Sequence, residues 1–281
     1  MTNTQVPYYQ NDLFASMAHI EQLIDYILHL ADTTLVLGHR NSEWTGHGPA
    51  LEQDIAISNI ALDLIGQARN FYQLAAELIN EQPKAHPFTM PYKRLVTEDD
   101  LAYLRDAFDF KNYLITELPK GDWAFTILRQ FYFSNWQYYF YLALKNSSNT
   151  LLAAIAEKSL KETTYHLKWS SEWVIRLGDG THESQQRMLN AVNDLQYFFG
   201  ELFEPAAYET TLLAYHICVD LTTIKPLWLE KTATILDEAT LPFVEPTWWQ
   251  SGGKKGLHTE HLGFLLAEMQ FLQRAYPNSI W

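Results

Sequence analysis

Apolar side chains recur at three- and four-residue steps along most of this chain, the spacing of one face of a helix. Ile20, Leu23, Ile24, Ile27, Ala31 and Leu35 mark a first helix expected over Ser16–His39. Asn41–Gly48 reads as a loop with Trp44 and two glycines, and Gly48-Pro49 opens a second helix with proline in its first turn. From Leu51 the apolar positions are Leu51, Ile55, Ile57, Ile60, Leu62, Leu64, Ile65, Ala68, Phe71, Leu74, Ala75 and Leu78. That is wider than one stripe and predicts a helix, running to Asn80, buried on several sides. Asp54, Asn59 and Asp63 stand among these residues, where a carboxylate is costly unless paired or metal-bound.

Beyond a connection at 82–91, helical spacing returns over Glu98–Phe108 and, more weakly, to Leu118. Pro119-Lys120-Gly121-Asp122 is a break, with Asp122 the expected N-cap of a helix over Trp123–Lys145. That helix carries ten aromatic residues, among them Phe131, Tyr132, Phe133, Trp136, Tyr138, Tyr139, Phe140 and Tyr141. A large aromatic core and a face for a protein partner both account for them. After a turn at Asn146–Asn149, helices are expected over Thr150–Leu177, ended by Gly178 as a left-handed cap, and from a Thr181 cap to Phe199. Thr210–Leu221 and Pro226–Ala239 form a further pair, the second opened by first-turn proline, and Leu257–Ala275 closes the chain after a Trp-, Pro- and Gly-rich loop. Strand-like alternation is missing. The expected architecture is all-α, a single helical domain over 1–281 with additional C-terminal helices and residues 1–15 as an N-terminal tail.

Composition narrows the class. With 47% hydrophobic and 14% aromatic residues the chain is globular. Its net charge of −13 and lack of basic runs argue against a nucleic-acid partner. One cysteine, Cys218, rules out an internal disulfide and any multi-cysteine metal site; it reads as a buried thiol, with catalysis the less favoured alternative. The first twenty residues lack a signal-peptide pattern, and no apolar run approaches the roughly 20 residues that span a bilayer, so no membrane partner and a cytoplasmic location are expected.

Long helices of this kind can enclose a di-iron centre built from a Glu on each of two helices and Glu-x-x-His on each of two others. Among the ten histidines only His182 has an acid three positions earlier, Asp179, across a glycine turn. Glu162 and His166 are four apart, with Tyr165 where the motif wants histidine. The second helix has no histidine between His47 and His86, and the third no glutamate between Glu117 and Glu157. A complete set cannot be assembled. Asp54, Asp63 and Glu162 then pair with Arg69, Arg129, Lys158 or Lys161, or face solvent or a subunit boundary. His258 and His261 share a face of the last helix without a third ligand, which favours capping or interface roles. Gly252-Gly253-Lys254-Lys255-Gly256 lacks phosphate-loop spacing; it offers amides and cations to an anion, or is a flexible connection.

The stretches LVLGHRNSEWTGHGPALEQDIAISNIALDLIGQARN, KETTYHLKWSSEWVIRLGDGT and GGKKGLHTEHLGFLLAEMQFLQR resemble the structural-subunit family of the bacterial phenylacetyl-CoA epoxidases. The resemblance implies a ferritin-like fold and a complex with a related catalytic A subunit that carries the di-iron site. It implies a catalytically silent chain that binds no cofactor itself, with NADPH used by a separate reductase. Asp54, Asp63, Glu162 and His166 would then be a vestigial metal-site region. The family's contribution to an acyl-CoA site suggests Asp109, Phe110, Lys111 and Asn112, with Lys111 meeting a CoA phosphate and Phe110 packing on adenine; Thr210, Thr211 and Leu212 are a second candidate. A stand-alone helical acyl-CoA-binding or scaffold protein, or a divergent metal-dependent oxidase, are the alternatives.

Overall fold

The computed structural model describes residues 19–82, 94–277 and 279. In chain order the helices are α1 (Ile20–Ser42), α2 (Leu51–Asn80), α3 (Glu98–Tyr103), α4 (Leu114–Glu117), α5 (Trp123–Leu144) and α6 (Thr150–Gly178). They continue with α7 (His182–Leu195), α8 (Ala207–Leu213), α9 (Leu221–Glu238), α10 (Glu260–Met269) and α11 (Phe271–Ala275). The fold is all-α, consistent with a ferritin-like bundle, and no strand occurs among the described residues. Two antiparallel pairs make the frame, α1 on α2 and α5 on α6, joined through the α2–α6 contact. α7 and α9 pack on α5, α8 on α1, and the C-terminal α10 reaches α4.

Side-chain caps set several helix starts. Asp122 accepts from Phe125 N at 2.9 Å and starts α5; Asn149 accepts from Leu152 N at 3.1 Å and starts α6. Pro49 falls before the N-cap residue Ala50, just outside α2 rather than in its first turn. Pro226 lies inside α9, which Asp220 caps five residues earlier than expected. The last helix breaks at Gln270, whose buried amide donates to Arg105 O at 2.9 Å. Gly178 is not a left-handed cap: its φ is negative, and glycine is needed because a Cβ there would come within 2.3 Å of Ala239 O. The expected N-terminal tail lies outside the described residues.

The aromatic helix is mainly core. Phe131, Tyr132, Phe133, Trp136, Phe140 and Tyr141 are buried, while Tyr138 and Tyr139 remain partly open. α2 departs from expectation in the other direction. Leu51, Ile55 and Leu62 are 72%, 52% and 66% exposed, so this helix keeps an open apolar stripe and is not buried all round.

Candidate functional site

Among the described residues, two buried polar centres of different character stand out. The first lies between α2, α5 and α6. Gln67 donates to Glu162 Oε2 at 2.9 Å, while its amide oxygen accepts from Gln137 Nε2 at 3.0 Å and the Tyr141 hydroxyl at 3.1 Å. Thr163 donates to Gln137 Oε1, and one turn along α6 His166 Nε2 meets Asp63 Oδ2 at 2.9 Å. Most of these groups are neutral amides and hydroxyls. The carboxylates, Asp63 and Glu162, are partly exposed. The donor set does not fit a di-iron centre, which requires acidic ligands from four helices and two imidazoles. Among the described residues no three His, Cys, Asp or Glu side chains gather as a metal-binding group.

The second centre surrounds residues 105–117 and is built from full charges. Asp32, entirely buried on α1, pairs with Arg105 and also accepts from the Tyr72 hydroxyl at 2.5 Å and from Lys111 N at 2.8 Å. Burial pulls the Arg105 pKa down, but Asp32 outweighs it and leaves the guanidinium raised and charged. Glu117, also fully buried, accepts from Asn112 Nδ2 at 2.9 Å, from Thr259 N and from His258 Nδ1 at 2.8 Å. Glu201 binds three backbone amides, Gly252 N at 2.8 Å, Gly253 N at 2.7 Å and Leu114 N at 2.8 Å. Burial still raises its pKa against those donors. Lys254 closes the group on Glu209 at 2.6 Å; burial lowers its pKa while Glu209 opposes the shift. Each buried charge thus meets an opposite charge or a set of amides, the condition under which burial is tolerable.

Two comparisons bear on what carries these centres. The family model described as phenylacetic acid catabolic protein matches residues 9–281. The chain belongs to this family. It is also 44% identical over 262 residues to the C subunit of the 1,2-phenylacetyl-CoA epoxidase of Escherichia coli (strain K12), covering 93% of this chain and 100% of that protein.

Against this phenylacetic acid catabolic family background, the expected site residues divide. Asp63 and His166 are brought together and Glu162 joins the same centre through Gln67. Asp54 does not: it sits nine residues from Asp63, about 13 Å along the helix, and accepts from Gly48 N at 2.8 Å. That amide, with Gly46 N, holds its carboxyl below the usual range. Asn59 is exposed. The expected cationic partners are engaged elsewhere. Arg69 pairs with Glu98, and buried Arg129 donates to the carbonyls of Leu118 and Pro119, its pKa brought down to about 9 by burial and by Arg40. Lys158 and Lys161 are exposed.

Phe110 is fully buried with the Arg105 guanidinium 4.3 Å from its ring centroid, so it offers no open face to an adenine. Asn112 is likewise buried on Glu117. Asp109 and Lys111 are partly exposed, and Lys111 Nζ lies 3.4 Å from Asp25 and 5.8 Å from the Tyr208 ring centroid. Tyr208 is on α8, which also carries Thr210, Thr211 and Leu212, so the two candidate segments are neighbours. Leu212 is core, and both threonine hydroxyls donate to backbone carbonyls of their own helix. His258 precedes α10 instead of sharing its face with His261, and Thr259 supplies the cap. The glycine loop binds an anion from within: its amides hold Glu201, and a Cβ on Gly253 would stand 2.1 Å from Asn112 O. Cys218 is an inert thiol, pushed up to about 12 by burial and by Glu209.

Sequence reading missed Asp32, Arg105, Glu117, Glu201 and Glu209. Asp32 carried the signal used for Asp63, an acid inside an apolar helical run. The others lie in short or irregular segments where periodicity says nothing about burial.

Proposed function

We propose that this chain is a non-catalytic structural subunit of a phenylacetyl-CoA epoxidase, supporting a related di-iron catalytic subunit and its acyl-CoA site in aerobic phenylacetate degradation. The observation that carries the reading is the internal use of the bundle's acids and imidazole. His166 is bonded to Asp63 and Glu162 to Gln67, with amides and hydroxyls between them. A helical frame is kept while its polar centre serves structure. Similarity over 93% of the chain to a protein named as the C subunit of a phenylacetyl-CoA epoxidase supports the same reading. The open apolar stripe of α2 and the exposed Phe108, Phe264 and Phe271 suit a chain that packs against other subunits.

For the acyl-CoA site, Lys111 is the proposed partner of a CoA phosphate; its partial exposure and the hold of Asp32 on its backbone support that choice, and its Asp25 pair at 3.4 Å would have to open. Co-expression with the catalytic subunit tests the whole reading. A stable complex is expected, with iron stoichiometric to the catalytic partner and none retained by this chain alone. Failure to associate, or tight iron binding with oxygen consumption by the isolated chain, overturns it.

A further inference from the structure

Two histidines grip adjacent carbonyls of the same short segment, and their surroundings demand opposite protonation states. From α1, His29 Nδ1 lies 2.6 Å from Lys111 O, so it donates there and its Nε2 is left without a proton-bearing role. Burial, and then the Lys254 and Lys111 charges, hold the His29 pKa well below its ordinary value. From the loop before α10, His258 Nε2 lies 2.8 Å from Phe110 O and Nδ1 lies 2.8 Å from Glu117 Oε2. A carbonyl oxygen only accepts, and Glu117 already accepts from Asn112 Nδ2 and Thr259 N. Both ring nitrogens of His258 are therefore placed as donors.

We propose that His258 is a positioning residue for the Asp109–Asn112 segment: carrying a proton on each ring nitrogen, it ties the Phe110 carbonyl to Glu117 and fixes the backbone that presents Lys111. The charged groups around it favour that form. Glu117 on α4 is in contact, Asp32 on α1 adds a more distant negative charge, and Arg105 neutralises much of Asp32. Arg40 of α1 donates to the carbonyls of Glu117 and His261 on either side. Burial pulls the His258 pKa down, yet Glu117 and the Phe110 carbonyl leave it raised. A raised folded pKa means that the stabilisation is complete below the unfolded value of about 6.5 and fades as pH rises through the folded one. His29 has the opposite sign and weakens the structure as pH falls below about 6.5. The segment is thus held most firmly between the two.

The role of Lys111 toward an acyl-CoA rests on the function proposed above, and the experiment separates the two ideas. Hydrogen exchange at the Lys111 amide, bonded to Asp32, is compared in the full-length chain and in His258→Phe. Loss of a charge-assisted bond predicts exchange about 10- to 100-fold faster in the variant. At matched pH, the gap between wild type and variant is expected to narrow as pH rises above the ordinary histidine value of about 6.5. Unchanged exchange overturns the proposal. Should the variant fail to fold, nitrogen NMR of the wild-type imidazole decides: two protonated nitrogens near neutral pH support the proposal, and one bare nitrogen overturns it. Phenylacetyl-CoA binding is then measured for His258→Phe and Lys111→Ala. Faster exchange with binding unaltered in both keeps the positioning role and removes the acyl-CoA assignment.

Discussion

The two polar centres answer the cost of burial in different ways. Between α2, α5 and α6, neutral amides and hydroxyls bond one another, and the carboxylates lie toward the edge, with the Asp63 side chain 37% exposed. Around residues 105–117, Asp32, Glu117, Glu201 and Glu209 are almost or wholly buried, and each is matched by a cation, a histidine or amides. The metal question directs attention to the first centre. The second holds the irregular chain in place, because a segment with short helices cannot satisfy its own backbone. Asp32, Glu117 and Glu201 between them take the amides of Lys111, Thr259, Leu114, Gly252 and Gly253.

The sharpest test of that contrast is Asp32→Ala. It takes the Asp32 carboxylate away from buried Arg105 and removes an acceptor for the Tyr72 hydroxyl and Lys111 N. A loss of about 3–5 kcal/mol is expected, read by urea denaturation. A loss no larger than that from a substitution in the first centre would erase the distinction between the two.

Gly253→Ala probes the same region through shape instead of charge. Its new Cβ would stand 2.1 Å from Asn112 O, so the glycine loop must back away and stretch the amide bonds to Glu201. Overpacking of this kind costs about 1–3 kcal/mol. The matching measurement is faster exchange at the Leu114 amide, which shares Glu201 with the loop. If Leu114 is unaffected, the three amides do not act as one unit.

These two residues also show what a sequence can reveal. The long helices were legible because apolar spacing and the caps Asp122 and Asn149 act locally. The Asp63–His166 pair was not legible in the residue pattern, which offered Asp63 only Arg69, Arg129, Lys158, Lys161, solvent or a subunit boundary; a grouping with His166 came from the family resemblance alone. Gly253 was not legible either, because its requirement is set by Asn112, distant in sequence and fixed only by the tertiary fold. Glu201 was equally hidden: nothing in a short ELF segment says that it will cap a glycine loop fifty residues on.

In the first centre, Gln67→Leu removes an acceptor from Gln137 and Tyr141 and a donor from Glu162. Gln137 and Tyr141 remain within 3.2 Å of each other, and Glu162 can turn toward solvent. A loss of about 1–2 kcal/mol is expected in thermal or urea unfolding, well below that for Asp32→Ala. A collapse of the fold would mean that this network is as indispensable as the ionic one.

The smallest effect belongs to Asp63→Asn. The carboxylate is 37% exposed, and its partner is His166 Nε2 at 2.9 Å. Asparagine keeps an oxygen acceptor in the same place, so the hydrogen bond survives and only the charge is lost. A pair this open to water is screened, and its removal should cost less than about 1 kcal/mol, shrinking further in high salt. Asp63→Leu is the informative control. It leaves Nε2 of a fully buried imidazole without its acceptor, while Nδ1 has no partner among the described residues, and should cost about 1–3 kcal/mol independently of salt. Matched denaturation curves at low and high salt separate the two outcomes. If Asn proves as damaging as Leu, the charge itself holds His166, and the first centre is ionic after all.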